Sequence, residues 1–402
     1  MQTETIAIVK ATVPAIEASG EAITQHFYAL LFAENPELQH VFNMASQANG
    51  RQQSTLAAAI LGYAANIDNL GALGGAVEKI AMKHFSLDIT PPQYEIVGRN
   101  LLKAIRAVLG EEVATDAVLQ AWAEAYQQLA DILIGREQQL YAQAEAEGWA
   151  GFKAFSVNRI VDESDEIRSI YMSPVDGKPL PEFIPGQFIS VKIVNPDWEH
   201  EEIRQYSLSD RHTAEGYRIS VKREPSPAAD IPEGRVSNYL HTQIRVGSRL
   251  AIHMPGGDLV LQQNKRPVVL ISGGVGITPM LSMLNEMLCS RDSRKIVWLH
   301  GTRNRRSHTF AEHIGCLKRD YPQLTASTFY DELSGGAREG IDYDHQGYIT
   351  ADWLEHYCPE DAEYYFCGPL PFMKAIYQHL KNRDIADERL HYEVFGPGES
   401  LA

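Results

Sequence analysis

Pro267-Val268-Val269-Leu270-Ile271-Ser272-Gly273-Gly274-Val275-Gly276-Ile277-Thr278-Pro279 decides the fold of the last third of this chain. An unbroken, β-branched apolar run reads as a strand buried on both faces, the habit of a parallel sheet. Gly273 to Gly276 then turn into a helix starting near Pro279. Glycines let the backbone come close to a dinucleotide pyrophosphate, and the helix N-terminus adds N–H donors and positive potential. A glycine cluster alone is weak, but Cys367-Gly368-Pro369 closes a later strand of the same kind. A second strand, Lys295–His300, precedes Arg303, Arg305 and Arg306, where arginine would suit a ribose 2′-phosphate and an acidic residue an unphosphorylated ribose.

Upstream, from Trp149, the periodicity alternates. The six expected strands include Ser156–Ile160, Phe188–Ile193, Tyr206–Leu208, Tyr217–Lys222 and Ser248–His253, between Pro/Gly turns. Six short strands in this stretch predict a closed antiparallel barrel. Glu224–Glu233, with three prolines, reads as an inserted surface loop.

Residues 1–145 show helical spacing and no alternation, predicting six to eight helices. Breaks are expected at Gly20, Asn35-Pro36, Asn49-Gly50, Gly71 to Gly75 and Thr90-Pro91-Pro92. Thr90 to Gln93 reads as a capping box with proline at the first helical position. The last helix is expected from about Glu112 to Tyr141. His84 ends an apolar stripe with Val77, Ile80 and Ala81, and an imidazole there can hold iron through one ring nitrogen. By itself such a histidine is more often a satisfied core residue. Phe42 falls in a loop after the Pro36 helix, Gln52 and Leu56 share a helix face, and Tyr28 lies on an earlier apolar helix.

The chain has 402 residues and a formal charge of −16. Residues 1–138 hold 8 basic and 15 acidic side chains, and the remainder is acidic too. That excludes a nucleic-acid footprint, which needs a clustered basic face. There is no secretory signal and no membrane-length apolar run, so a cytoplasmic protein is expected. Cys289, Cys316, Cys358 and Cys367 form no metal-binding spacing, and at least three of them are expected to be small buried hydrophobes.

These features together resemble the flavohaemoglobins of bacteria and fungi, over essentially the whole chain from Ile6 to Pro397. The resemblance implies a globin domain at 1–145, an FAD-binding barrel at 146–263 and an α/β nicotinamide-binding domain of ferredoxin-reductase type at 264–402. It makes His84 the iron ligand, with Phe42 on the porphyrin, Tyr28 and Gln52 as polar groups over the sixth coordination site, and Leu56 beside them. Tyr94 and Glu137 match residues that hydrogen-bond around the imidazole, although Glu137 could equally be a solvated neighbour of Arg136.

The flavin motif is Arg204-Gln205-Tyr206-Ser207, with Arg204 on the pyrophosphate, Tyr206 on the isoalloxazine and Ser207 near N5. Ser237 belongs to a second phosphate element, Gly234 to Asn238. Phe188 in Pro185-Gly186-Gln187-Phe188 stands where tyrosine is expected. Gly273, Gly274, Val275, Gly276, Ile277, Thr278 and Pro279, with Cys367, Gly368 and Pro369, match the nicotinamide motifs. The segment Glu393-Val394-Phe395-Gly396-Pro397 matches the closing stretch, where Phe395 lies against the flavin. Lys83 and Glu393 match residues at the haem–flavin junction.

The activity implied is a nitric oxide dioxygenase, an oxidoreductase that detoxifies nitric oxide to nitrate. Its cofactors are haem b (iron), FAD and NADH or NADPH. Its partners are small molecules, O2, NO and NAD(P)H, with a lipid or azole as a further occupant of the distal pocket. A monomer with no nucleic acid and no obligate protein partner is expected. Two rivals use the same parts: a haem-based lipid hydroperoxide reductase, and an O2 or NO sensor with a weakly used reductase.

Overall fold

The structure, a computed structural model, describes residues 1–44, 47, 51–226, 233–333, 336–396 and 401. Pro397, the Asn49-Gly50 break and residues 227–232 of the expected insertion lie outside the described residues. The chain forms two compact units: Met1–Phe152 with Lys192–Arg204, and Lys153–Val191 with Gln205–Gly396.

The first unit is built on α1 (Thr3–Glu34), α2 (Arg51–Ala65), α3 (Gly74–Ser86), α4 (Pro91–Val113) and α5 (Asp116–Ala146), with 3-10 turns at Pro36–His40 and Leu70–Leu73. Val9, Ile16, Ile23, Phe27 and Leu31 recur at sevens and fours along α1, so they share one face. They pack against Leu101 and Ile105 of α4 and Trp122 of α5. Each such large side chain contributes about 1.5–3 kcal/mol by burial.

The Thr90 capping box forms as read: the backbone N–H of Thr90 donates to Oε1 of Gln93 at 2.7 Å. Two expectations fail. Helix α1 runs straight through Gly20, which faces Ala57 of α2. The last helix starts at Asp116, not Glu112, because Thr115 caps it by accepting from the backbone N–H of Val118.

Beyond the helices the chain forms an antiparallel sheet and a parallel one. The first comprises β1 (Phe152–Asp162), β2 (Ile167–Pro174), β3 (Phe188–Ile193), β4 (Glu202–Ser207), β5 (Tyr217–Lys222) and β6 (Arg249–His253), in the order β4-β3-β6-β1-β2-β5. A bridge between Leu208, just after β4, and Ile219 of β5 joins the two edges, which closes the barrel. Strand β2 carries no regular polar alternation, since its buried Ser169 is satisfied by Ser220 at 2.8 Å. Strand β4 begins at Glu202, four residues before the expected Tyr206.

The parallel sheet holds β7 (Val268–Gly273), β8 (Ile296–Thr302), β9 (Leu324–Tyr330), β10 (His345–Gln346), β11 (Glu363–Cys367) and β12 (Leu390–Glu393), ordered β10-β9-β8-β7-β11-β12. The order reverses beside β7, so the glycine turn lies at the crevice where such sheets bind ligands. Helix α7 (Ile277–Cys289) starts directly after that turn. Leu270 buries on one face of the sheet and Val269 and Ile271 on the other, as the unbroken apolar run predicts. The cysteine expectation fails in part: Cys289 and Cys316 are exposed, and only Cys358 and Cys367 are buried.

Candidate functional site

His84 stands in the last turn of α3, Tyr94 in the first turn of α4 and Glu137 on α5. Nδ1 of His84 lies 2.7 Å from the Tyr94 hydroxyl and 2.9 Å from Oε1 of Glu137. The Tyr94 hydroxyl donates to that same Oε1 at 2.5 Å. Its one hydrogen is therefore committed, and both neighbours of Nδ1 can only accept. Nδ1 must carry the imidazole hydrogen, which leaves the lone pair of a neutral ring on Nε2. Glu137 is only 2 % exposed, so it is no solvated neighbour of Arg136. Arg136 instead grips Glu78 of α3 with two bonds, at 2.7 and 2.8 Å. Burial, then the Glu137 carboxylate, push the Tyr94 pKa far up, so the phenol stays protonated.

Two tyrosines of α5 hold this segment in place. Tyr126 donates to the Tyr94 carbonyl at 2.7 Å, and Tyr141 to the Ile89 carbonyl at 2.7 Å. Gly98 makes room for the first, since a Cβ there would sit 2.5 Å from the Tyr126 ring.

Tyr28, Phe32 and Phe42 form an aromatic cluster. Tyr28 meets Phe42 edge-on at 5.8 Å between centroids, and Phe32 meets Phe42 at 5.4 Å. Leu56 packs against the same core. Tyr28 is buried, which raises its pKa, and a hydrogen bond with the Gln47 side chain opposes that rise. Gln47 donates to Oε1 of Gln52 at 2.9 Å, so Tyr28 and Gln52 are brought together through Gln47.

In the barrel, Gln205 and Tyr206 are half-buried on β4, and the buried Ser207 Oγ has no hydrogen-bond partner. Arg204 pairs with Glu202 at 2.8 Å. Ser237 opens α6 (Arg235–Thr242), donating to the Gly234 carbonyl at 3.0 Å and accepting from the Glu224 N–H at 3.2 Å. Phe188 is buried against Gly257.

At the glycine turn, a Cβ on Gly276 would lie 2.2 Å from the Cys367 carbonyl oxygen, so only glycine lets β7's turn pack on the end of β11. Gly274 has φ of 51° and open space around it. Thr278 Oγ1 closes the turn by donating to the Val275 carbonyl at 3.0 Å. Pro369 caps the helix Leu370–Lys381 after Gly368. Cys367 is fully buried, and burial raises its thiol pKa. Arg303 pairs with Glu166, Arg305 with Asp342 at 3.5 Å and Arg306 with Asp165 at 2.6 Å. Lys83 is exposed on α3, and Glu393 ends β12. Val394 and Gly396 flank Phe395, which is 43 % exposed.

The globin family profile matches residues 25–133, and the oxidoreductase NAD-binding domain profile matches residues 270–378. The flavohemoprotein of Burkholderia sp. strain TH2 is 47% identical over all of both chains, and that of Bordetella pertussis 45% identical over 99% of each. The chain belongs to the flavohaemoprotein family. A flavohemoglobin from Malassezia yamatoensis, solved with bound FAD and heme, superposes with a TM-score of 0.85 at 25% identity, covering 98% of this chain and 99% of that one. The flavohaemoprotein fold is thus a globin domain followed by FAD- and NAD-binding reductase domains, as expected.

Several polar groups of this flavohaemoprotein escaped the sequence reading. Gln47 falls in a stretch without helical periodicity, and only the fold carries it to Tyr28. Arg223 donates to Oδ1 of Asn238 at 2.6 Å, tying the end of β5 to the N-terminal turn of α6. The Gly-Arg-Val-Ser-Asn run pointed to that turn, but nothing local pointed to Arg223.

Proposed function

We propose that this chain is an NAD(P)H-dependent nitric oxide dioxygenase that oxidises nitric oxide with O2 to nitrate, using haem b, FAD and a nicotinamide donor. The observation that carries the reading is the His84–Tyr94–Glu137 triad. It obliges Nδ1 to hold the hydrogen and leaves Nε2 as a lone-pair donor for iron. Phe42, Leu56, Tyr28 and Gln52 would line the haem site. The unpartnered Ser207 hydroxyl fits a flavin heteroatom, beside Tyr206, Gln205, Arg204, Phe188 and Ser237. The open space at Gly274 fits a pyrophosphate over the N-terminus of α7. Bound haem would supply iron that takes one electron at a time and coordinates O2, and FAD would split the electron pair of a hydride into single electrons.

The chain's own residues do the rest. Glu137 draws on Nδ1–H and makes the imidazole more electron-rich, a tuning that second partners of metal-bound histidines commonly provide. Tyr94, kept protonated, orients that carboxylate. Tyr28, also kept protonated, offers a hydrogen to a partly negative ligand atom inside a cluster that excludes water. All three arginines after β8 pair with carboxylates in exposed contacts that are easily exchanged, so either NADH or NADPH fits. Among the described residues no helix is long and apolar enough to cross a membrane, which is compatible with a cytoplasmic enzyme.

The test is nitric oxide consumption in air by protein loaded with haem and FAD, with NADH or NADPH and nitrate quantified. Nitrate formed in step with nitric oxide consumed is the expected result. Slow consumption despite fast flavin and haem reduction would replace the reading with a hydroperoxide reductase, which the Glu137–His84 bond also suits because an electron-rich ligand assists O–O cleavage. Haem that stays oxidised would point to a sensor.

A further inference from the structure

Gln47 is buried, and its amide is bonded to three other polar side chains. One backbone atom sets the direction of the bonds among the glutamines. Nε2 of Gln53 donates to the carbonyl oxygen of Gln47 at 3.1 Å, and a carbonyl oxygen can only accept. The nitrogen end of Gln53 therefore faces Gln47, and the same Nε2 donates to Oε1 of Gln47 at 2.9 Å. With its oxygen end so engaged, Gln47 turns its nitrogen end away, and Nε2 donates to Oε1 of Gln52 at 2.9 Å. The Tyr28 phenol is a further hydrogen-bond partner of Gln47.

The acceptor atom of Gln52 is thereby filled from behind. Gln52 keeps its N–H hydrogens, while the oxygen lone pairs that would repel a partly negative ligand are occupied. We infer that Gln47, held by Gln53, is a positioning residue that fixes Gln52 as a hydrogen donor beside Tyr28, and so selects a ligand that gains negative charge at iron over a neutral one. Without it the Gln52 amide can rotate and present its oxygen, because its two ends have nearly the same shape. This rests on the haem site proposed above.

The test uses the full chain loaded with haem and FAD, in Gln47→Met, which keeps the volume and removes the polarity, and Gln47→Glu, which can accept from Gln53 but not donate to Gln52. Infrared spectra of carbon monoxide bound to the reduced protein report the polarity around the ligand, and stopped flow reports O2 dissociation. Tyr28→Phe in both assays sets the scale. The expected result for both Gln47 variants is a second C–O band at higher frequency and O2 dissociation faster by about three- to tenfold, the worth of one net hydrogen bond. A packing role alone predicts an unchanged band and rate in Gln47→Met. Unchanged Gln47 variants beside a shifted Tyr28→Phe would overturn the relay and leave the haem reading standing. If Tyr28→Phe is unchanged as well, the assignment of Tyr28 to the distal face fails, and the relay with it.

Discussion

His84, Tyr94 and Glu137 come from three helices, the first and the last 53 positions apart, whereas Ser272 to Pro279 are consecutive. The helical site is made of side chains whose hydrogen bonds cross between elements. The glycine turn is made of backbone, and its specificity lies in what is missing from Gly276. One arrangement should therefore be sensitive to lost polarity and the other to added volume.

The largest effects should come from breaking each at its centre. His84→Ala is expected to abolish haem uptake while far-UV circular dichroism stays native; a full Soret band in the purified variant would place the iron ligand elsewhere. Gly276→Val should slow flavin reduction by NADH about 100-fold in stopped flow, since displacing a binding turn by an ångström costs that much. It should also destabilise the parallel sheet by about 1–3 kcal/mol through overpacking. Wild-type reduction kinetics in that variant would remove the contrast.

A smaller effect is expected from polarity behind the imidazole. Glu137→Gln should raise the iron reduction potential, and Tyr94→Phe should cost about 1–2 kcal/mol in urea unfolding, one buried hydrogen bond. An unmoved potential in redox titration would reduce Glu137 to a structural role.

Acid should divide the regions more gently. Burial pushes the pKa of His300, on β8, down to about 3 and that of His308 to about 4. Both are neutral when folded, yet the unfolded chain protonates them near 6.5. The unfolded state thus binds more protons below that value. Their contribution is complete above about pH 6.5 and declines as pH falls towards 4, by up to ~1.4 kcal/mol per pH unit for each. Urea midpoints at pH 7 and pH 5, read from tryptophan fluorescence with Trp298 buried on β8, should show that slope. His308→Asn should flatten it.

The same contrast explains what could be read in advance. The strand, the glycines and α7 are local, so the stretch from Pro267 to Pro279 announces its own fold. His84, Tyr94 and Glu137 became a set only by family resemblance, because no spacing in the chain relates them. Gln47 and Arg223 have neither a local pattern nor a motif, and are recognisable only once distant elements meet. Gly20 misled because a glycine reads as a break, although helix α1 uses it where Ala57 approaches. Thr115 does not stand out as a boundary because the apolar spacing continues across it, so spacing alone predicts a helix start several residues before the cap.

The segment Lys192–Arg204 belongs with the helical unit although the chain reaches it only after entering the barrel. Its Glu201 N–H donates to Nδ1 of His40 at 2.9 Å. During synthesis the His40 contact waits for a loop made some fifty residues after the last helix. A gene cut after Trp149 would lose that contact, while moving residues 192–204 with the helices would take the ends of β3 and β4 out of the barrel.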